Sequence, residues 1–183
     1  MIEINITPSL YHTCVVAAEN MWASSKKGTY GRGLANTTKD PKYVERTGCL
    51  CEMAFSIWSG IPTNFGYVEG GDKGDFIIHG KIVDIKKFHK RTNSLLLTAR
   101  QPKNDGTYFD VFKNHDVYVA INLEDNGKSA KAELVGYILG ADAQRCPLQP
   151  ALRGNHMNYV VSINNLKPMG GLQKFLESPV STL

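Results

Sequence analysis

Apolar and polar positions change period several times along the chain, and each change marks an element. From Thr7 the pattern is helical: Thr7-Pro8 reads as an N-cap with proline at the first helical position, and SLYHTCVVAAENMWASSKK continues as a helix up to Gly28. The Gly- and Asn-rich stretch TYGRGLANTTKD that follows reads as a surface loop able to close over a groove. Asp40-Pro41 repeats the start signal, and a second helix is predicted to about Ser59, where Gly60-Ile61-Pro62 stops it. On that helix Val44, Cys51, Phe55 and Trp58 recur at helical spacing and predict a core-facing stripe. Glu45 and Glu52 lie two turns apart on nearly one face, with the small Gly48 between them.

The second half reads mostly as strands. NFGYVEGG predicts a first strand and turn, and LLLTAR, VYVAINL, AELVGYILGA and YVVSI predict further strands. QPKNDGTYFDVFKNHD carries turn signals and a short helix at Tyr108 to Lys113, Leu166 to Leu176 reads as a docked terminal helix, and Glu177 to Leu183 as a frayed tail. Helices combined with hairpin-linked strands predict one α+β domain over residues 1–183, an α/β sandwich with a mixed central sheet flanked by helices.

One run carries chemistry. In GDFIIHGKIVDIK, residues 74–86, His79-Gly80 suits a two-residue turn, because glycine takes positive φ freely and histidine is enriched there. Ile78 then faces Lys81, Ile77 faces Ile82, Phe76 faces Val83 and Asp75 faces Asp84, with Lys86 on the same face as Asp84. Opposed like charges cost a hairpin roughly 0.2 to 1 kcal/mol, so a cation is expected between the two carboxylates. Mg²⁺, or Mn²⁺ in its place, suits oxygen ligands supplied by one or two carboxylates, water and a phosphate. Phe76, Ile78, Val83 and Ile85 on one face, with Ile77 and Ile82 on the other, predict a sheet covered on both sides.

At these residues the chain resembles the PD-(D/E)XK nuclease superfamily, whose signature is an aspartate on one strand and an acidic-x-Lys triplet on the next, with a glutamate on a preceding helix. Asp75 matches the aspartate, Asp84-Ile85-Lys86 the triplet, and Glu52, within RTGCLCEMAFSIWSG, the helix glutamate. The match is good over about 41–88 and looser to about 140; Gly74 stands where the motif has proline, Asp84 is the less common acid, and no long helix follows Lys86. The resemblance implies a restriction endonuclease-like core and a metal-dependent nuclease acting on DNA, most simply an endonuclease. Asp75, Asp84, the carbonyl of Ile85 and Glu52 would hold one or two ions, and Lys86 would orient or deprotonate the attacking water. The small size suggests a phage-type or recombination enzyme, and homodimerisation is the usual arrangement where both strands are cut. The alternatives are a module that keeps the fold and binds nucleic acid, or assembles, without catalysis, and an enzyme on the same fold that acts on RNA.

Charge bears on the partner. The 183 residues carry a net charge of +4, which permits a polyanion without requiring one. Its placement is more telling. Lys86, Lys87, His89, Lys90 and Arg91 cluster directly after the acidic positions, and Lys26, Lys27, Arg32, Lys39, Lys42 and Arg46 flank the inter-helix loop. Lys87, Lys90, Arg91, Arg46 and Lys42 are therefore the expected phosphate contacts.

Other chemistries find less support. The four cysteines, Cys14, Cys49, Cys51 and Cys146, have no disulfide-framework spacing, and Cys49 and Cys51 would point about 200° apart on a helix. Cys146 alone does not supply the downstream cysteines of the iron-sulfur branches of the superfamily. The histidines, His12, His79, His89, His115 and His156, lack a metal-ligand spacing such as HExxH, and EGGDKGD lacks the terminal glutamate of a calcium loop. No run approaches the roughly 18 apolar residues of a membrane span, so the expectation is a cytoplasmic protein, in the host cell if phage-encoded, that makes no membrane contact.

Overall fold

The computed structural model describes residues 1–25, 41–65, 74–103, 105–112, 115–151 and 155–178. Strand β1 (Ile2–Ile6) leads into helix α1 (Pro8–Ser25), and α2 (Pro41–Ser59) follows. Both helices begin at the proline the sequence points to. At the first, the Thr7 hydroxyl accepts the Leu10 N–H at 3.5 Å, satisfying one of the orphan donors of a helix start. The hairpin β2 (Phe76–Ile78) and β3 (Lys81–Lys87) precedes β4 (Ser94–Pro102), β5 (Tyr108–Asp110), β6 (Val117–Asp125) and β7 (Ala130–Leu139). A short helix α3 (Gly140–Ala143), strands β8 (Leu148–Pro150) and β9 (Met157–Ser162), two 3₁₀ turns and helix α4 (Leu172–Glu177) complete the order.

The strands form two sheets. The larger runs β1-β7-β6-β3-β2, the smaller β5-β4-β9-β8. Among the described residues every strand pairing is antiparallel except β3 with β6, which is parallel and sets Asp84 beside Tyr118. The chain crosses between these two strands through β4 and β5 of the second sheet instead of through a helix.

The larger sheet is the middle layer of three. Val83, Ile85, Val117, Val119 and Ile121 meet Cys14, Leu50, Phe55 and Leu172 of the helices on one face. Tyr118, Ala120 and Ile138 meet Leu95, Leu97 and Val161 of the second sheet on the other. Alternate residues of one strand thus fill two separate cores, which is why VYVAINL reads as continuously apolar. Each fully buried aliphatic side chain contributes roughly 1.5 to 3 kcal/mol.

The molecule is of mixed α and β class, as expected, but several local expectations are corrected. Residues 108–112 do not form a helix, and Lys113 lies outside the described residues. Tyr108–Asp110 instead pairs with Arg100–Pro102 across a turn in which Asp105 Oδ1 accepts the Thr107 N–H at 2.9 Å, and Arg100 meets Asp110 at 2.9 Å. Strands β1 and β8 were not anticipated; β1 alternates Ile2, Ile4 and Ile6 but pairs only with a strand far along the chain, β7. AELVGYILGA is a strand only to Leu139, after which Gly140 opens α3. Cys51 and Phe55 are buried as predicted, whereas Val44 and Trp58 are half-buried.

The terminal helix is confined to six residues, Leu172–Glu177. Its end is fastened by the buried Lys81, whose ammonium donates to the Leu176 carbonyl at 3.3 Å and to that of Ser178, beside the Phe175 ring. A cation at a helix C-terminus is favoured by the dipole there. Asn64 and Phe65 of the predicted NFGYVEGG strand are not in a strand; its remainder, the loop 29–40, and Lys26, Lys27, Arg32 and Lys39 lie outside the described residues, as does 179–183.

Candidate active site

The site begins with the hairpin. His79 and Gly80 take φ of 48° and 78°, the positive values of the turn that matches strand twist. The pairs are Ile78 with Lys81, Ile77 with Ile82 and Phe76 with Val83, the register the sequence predicts. Pairing stops there. Asp75 sits at a bend just before β2, and its Oδ2 accepts the backbone N–H of Ile85 at 2.5 Å. A carboxylate thereby replaces the next backbone acceptor of the ladder. Asp75 and Asp84 border one cavity, but not as a paired cross-strand couple, which corrects the expected facing pair.

Gly74, just before the bend, holds a backbone conformation that favours glycine. Its φ is 139°, and a Cβ there would lie 2.3 Å from Ile82 Cγ2. Proline, held near −65°, cannot take this conformation. The covering of the hairpin is also one-sided at its tip: Phe76, Ile78, Val83 and Ile85 are buried, whereas Ile77 is 62% exposed on the sheet edge.

Asp84 projects from β3 towards the second sheet, its side chain 8% exposed, with Lys86 Nζ 2.5 Å from Oδ2 and His115 Nδ1 3.2 Å from Oδ1. Burial by itself would raise its pKa, but the His115 contact and the Lys86 charge outweigh it and hold the carboxyl below the usual range. Despite these short contacts, neither Asp84 Oδ2 nor His115 Nδ1 has a properly aligned hydrogen bond. Tyr118 stacks on His115, ring centroids 5.5 Å apart at 30°. Burial first, and the Asp84 charge second, push its phenol well above the ordinary value, so it stays protonated.

His115 and Tyr118 are the residues that sequence reasoning missed. His115 lies in no ligand-like spacing, and only the parallel pairing of β3 with β6 brings it to Asp84. The one available signal was its place immediately before the apolar run of β6, in a chain already carrying an acidic site.

A cavity of about 570 Å³ joins these groups. Glu52 of α2, Asp75, Asp84, Lys86 and His115 border it together with Tyr118, Met21, and Leu96, Thr98, Gln101, Val111 and Phe112 of the β4–β5 region. All four acidic and lysine positions marked in the sequence therefore reach one space. Ile85 is adjacent but buried on the helix-facing side, with its N–H engaged by Asp75. Among the described residues no three His, Cys, Asp or Glu side chains are gathered closely enough to enclose a metal ion by themselves. For a hard cation that keeps several waters, one or two carboxylates suffice. Asp75, Asp84 and Glu52 offer only oxygen donors, the kind that Mg²⁺ or Mn²⁺ takes, and Lys86 already stands 2.5 Å from Asp84 Oδ2.

The basic residues divide into two groups. Arg46 lies 3.0 Å from the buried Asp125 and 5.8 and 5.4 Å from the ring centres of Tyr11 and Tyr43. Lys87 stands 5.7 Å from the Tyr43 ring centre. Lys90, with a loose 3.5 Å contact to Glu124, and Arg91 are exposed beyond the end of β3. Lys42 lies in the first turn of α2, and its side chain falls outside the described residues.

The four cysteines are free and buried, and burial pushes the thiols of Cys14 and Cys51 up to about 12. Such thiols are poor nucleophiles. Among the described residues no helix is long and apolar enough to cross a membrane. Compared with known proteins, the chain matches no family model, no curated protein and no solved structure.

Proposed function

We propose that the protein is a metal-dependent nuclease that hydrolyses DNA phosphodiester bonds, an endonuclease on a restriction endonuclease-like core. The observation behind this reading is the convergence of Glu52, Asp75, Asp84 and Lys86 on one cavity, from a helix, a bend and a strand. Asp75 and Asp84, with the Ile85 carbonyl and Glu52, are the residues that would hold Mg²⁺ or Mn²⁺. A bound divalent ion supplies charge neutralisation and an acidified water for attack on phosphate. His115 keeps the Asp84 carboxylate turned into the cavity, and Lys86 brings a positive charge for a phosphate oxygen or the attacking water. Lys87, Lys90 and Arg91 extend that charge along the approach to the site, where they would bind flanking phosphates in a salt-dependent way.

The test is incubation with supercoiled, linear, branched and single-stranded DNA plus Mg²⁺ or Mn²⁺. Cleavage is expected, abolished by EDTA and by Asp84→Ala or Lys86→Ala. No cleavage of any substrate, or cleavage unchanged in both variants, would sink the reading. A second reading, a nucleic-acid-binding or assembly module without catalysis, is favoured by the Lys86–Asp84 ion pair, which already neutralises the carboxylate. That module would bind DNA in EDTA with strong salt dependence and show no heat of Mg²⁺ binding.

A further inference from the structure

The cavity has two chemically different walls. One, from α2, the Asp75 bend and β3, is charged; the other, from β4 and the segment after β5, is apolar and aromatic, with Leu96, Val111 and Phe112 and the amide of Gln101. A phosphodiester needs only the first. The second suits a flat ring with a polar edge. Phe112 is preset for such a ring, held 5.1 Å from Tyr159 at 86° and 5.5 Å from Tyr118 at 39°. Gln101 offers both a donor and an acceptor, as base edges require.

Access points the same way. Asp84 and His115 are both buried, so a phosphate must be carried into the cavity to reach them. A volume of about 570 Å³ lies within the range that takes a drug-sized ligand. A duplex, whose major groove alone is about 12 Å wide, is too broad to enter, whereas one strand with an unstacked base is not. Beyond the cavity, Tyr108 and Phe109 on β5 are exposed aromatics close to the exposed Arg100 and Lys103. Aromatics interleaved with basic side chains form the platform on which successive bases of a single strand stack.

From these features, and resting on the nuclease reading above, we infer that the cavity receives one unstacked nucleotide with its base against Phe112 and Gln101 and its phosphate towards Lys86, so that the substrate is single-stranded DNA or a duplex locally opened to a single strand. The test is fluorescence anisotropy of the full chain in EDTA with a labelled oligonucleotide, single-stranded and as a duplex of the same sequence. The single strand is expected to bind at least about tenfold tighter, and Phe112→Ala or Gln101→Ala to weaken it by about tenfold, the scale of one lost base contact. Duplex binding should stay within about twofold in both variants, and Phe112→Trp should retain the preference. Gln101 is exposed, so its variant separates a binding loss from a folding loss. Equal affinity for the two forms, binding to neither, or a preference unmoved in both Phe112→Ala and Gln101→Ala would overturn the inference. Because binding is read in EDTA, absent cleavage with an intact preference counts against the nuclease reading alone, and Mg²⁺-dependent cleavage without the preference counts against this one alone.

Discussion

Two buried aspartates of the larger sheet can be set side by side. Asp84 and Asp125 are 8% and 6% exposed at the side chain, each contacts a basic residue, and each has an Oδ2 without an aligned hydrogen bond. Their partners differ. Asp125 takes the Tyr11 hydroxyl of α1 at 2.9 Å and Arg46 of α2 at 3.0 Å, so it staples both helices to the end of β6. Asp84 takes Lys86 from its own strand and His115 from the approach to β6, joining little that is not already joined by the sheet. The Asp125 cluster spans distant elements and fastens them, whereas the Asp84 cluster is confined to neighbouring strands and faces a cavity.

The strongest way to break this comparison is to remove each cluster in turn. Lys86→Ala should lower the cleavage rate by about 10²- to 10⁴-fold, the span of a lost proton-transfer group, as measured by single-turnover cleavage. Asp84→Asn should abolish cleavage yet change the urea unfolding free energy by less than about 1 kcal/mol, since Lys86, 42% exposed, can return to water. A large stability loss in Asp84→Asn would make the two aspartates equivalent and remove the contrast.

Asp125→Ala should do the reverse. It strands Arg46, 29% exposed at the side chain, and the Tyr11 hydroxyl, and should cost about 3 kcal/mol by urea unfolding, the lower range for breaking a buried pair. Cleavage by the folded variant should be unchanged. Gly74→Ala tests the bend that presents Asp75. The positive φ and the approach to Ile82 should cost about 1 to 3 kcal/mol, and cleavage should fall as Asp75 shifts.

The acid limb of stability provides a finer test. Against the opposing effect of burial, His115 and Lys86 hold the Asp84 carboxyl below the usual carboxylate range in the folded state. Its contribution is therefore present above about pH 4 and lost as pH falls through the depressed folded value. Asp84→Asn should accordingly show a shallower stability loss than wild type on acidification below pH 4, measured by denaturant midpoints. Smallest in effect, Lys90→Ala and Arg91→Ala should each reduce the salt slope of DNA binding by about 0.9 if they touch phosphate. Arg46→Ala, whose charge is engaged with Asp125, should lower stability and leave that slope alone.

How much was legible beforehand follows from the range of the interactions. Helix starts at Pro8 and Pro41 and the turn at His79-Gly80 depend on residues within a few positions, and they appear where the local pattern puts them. Failures came where a distant partner decided. Tyr108–Asp110 became a strand because β4 offered an edge, and β1 exists because β7 did. Asp75 stands outside the ladder, at a bend where its carboxylate takes the Ile85 N–H in place of a backbone acceptor.

The sequence by itself determined the hairpin, its register and the identity of the acids and the lysine, since turn chemistry and a period of two act within a dozen residues. Only the tertiary structure decided what surrounds them. The parallel pairing of β3 with β6 delivers His115 and Tyr118, the folding of the second sheet across the same face supplies Phe112 and Gln101, and Arg46 is spent on Asp125. Such long-range contacts are set by which surfaces can be buried together, a property no local spacing records.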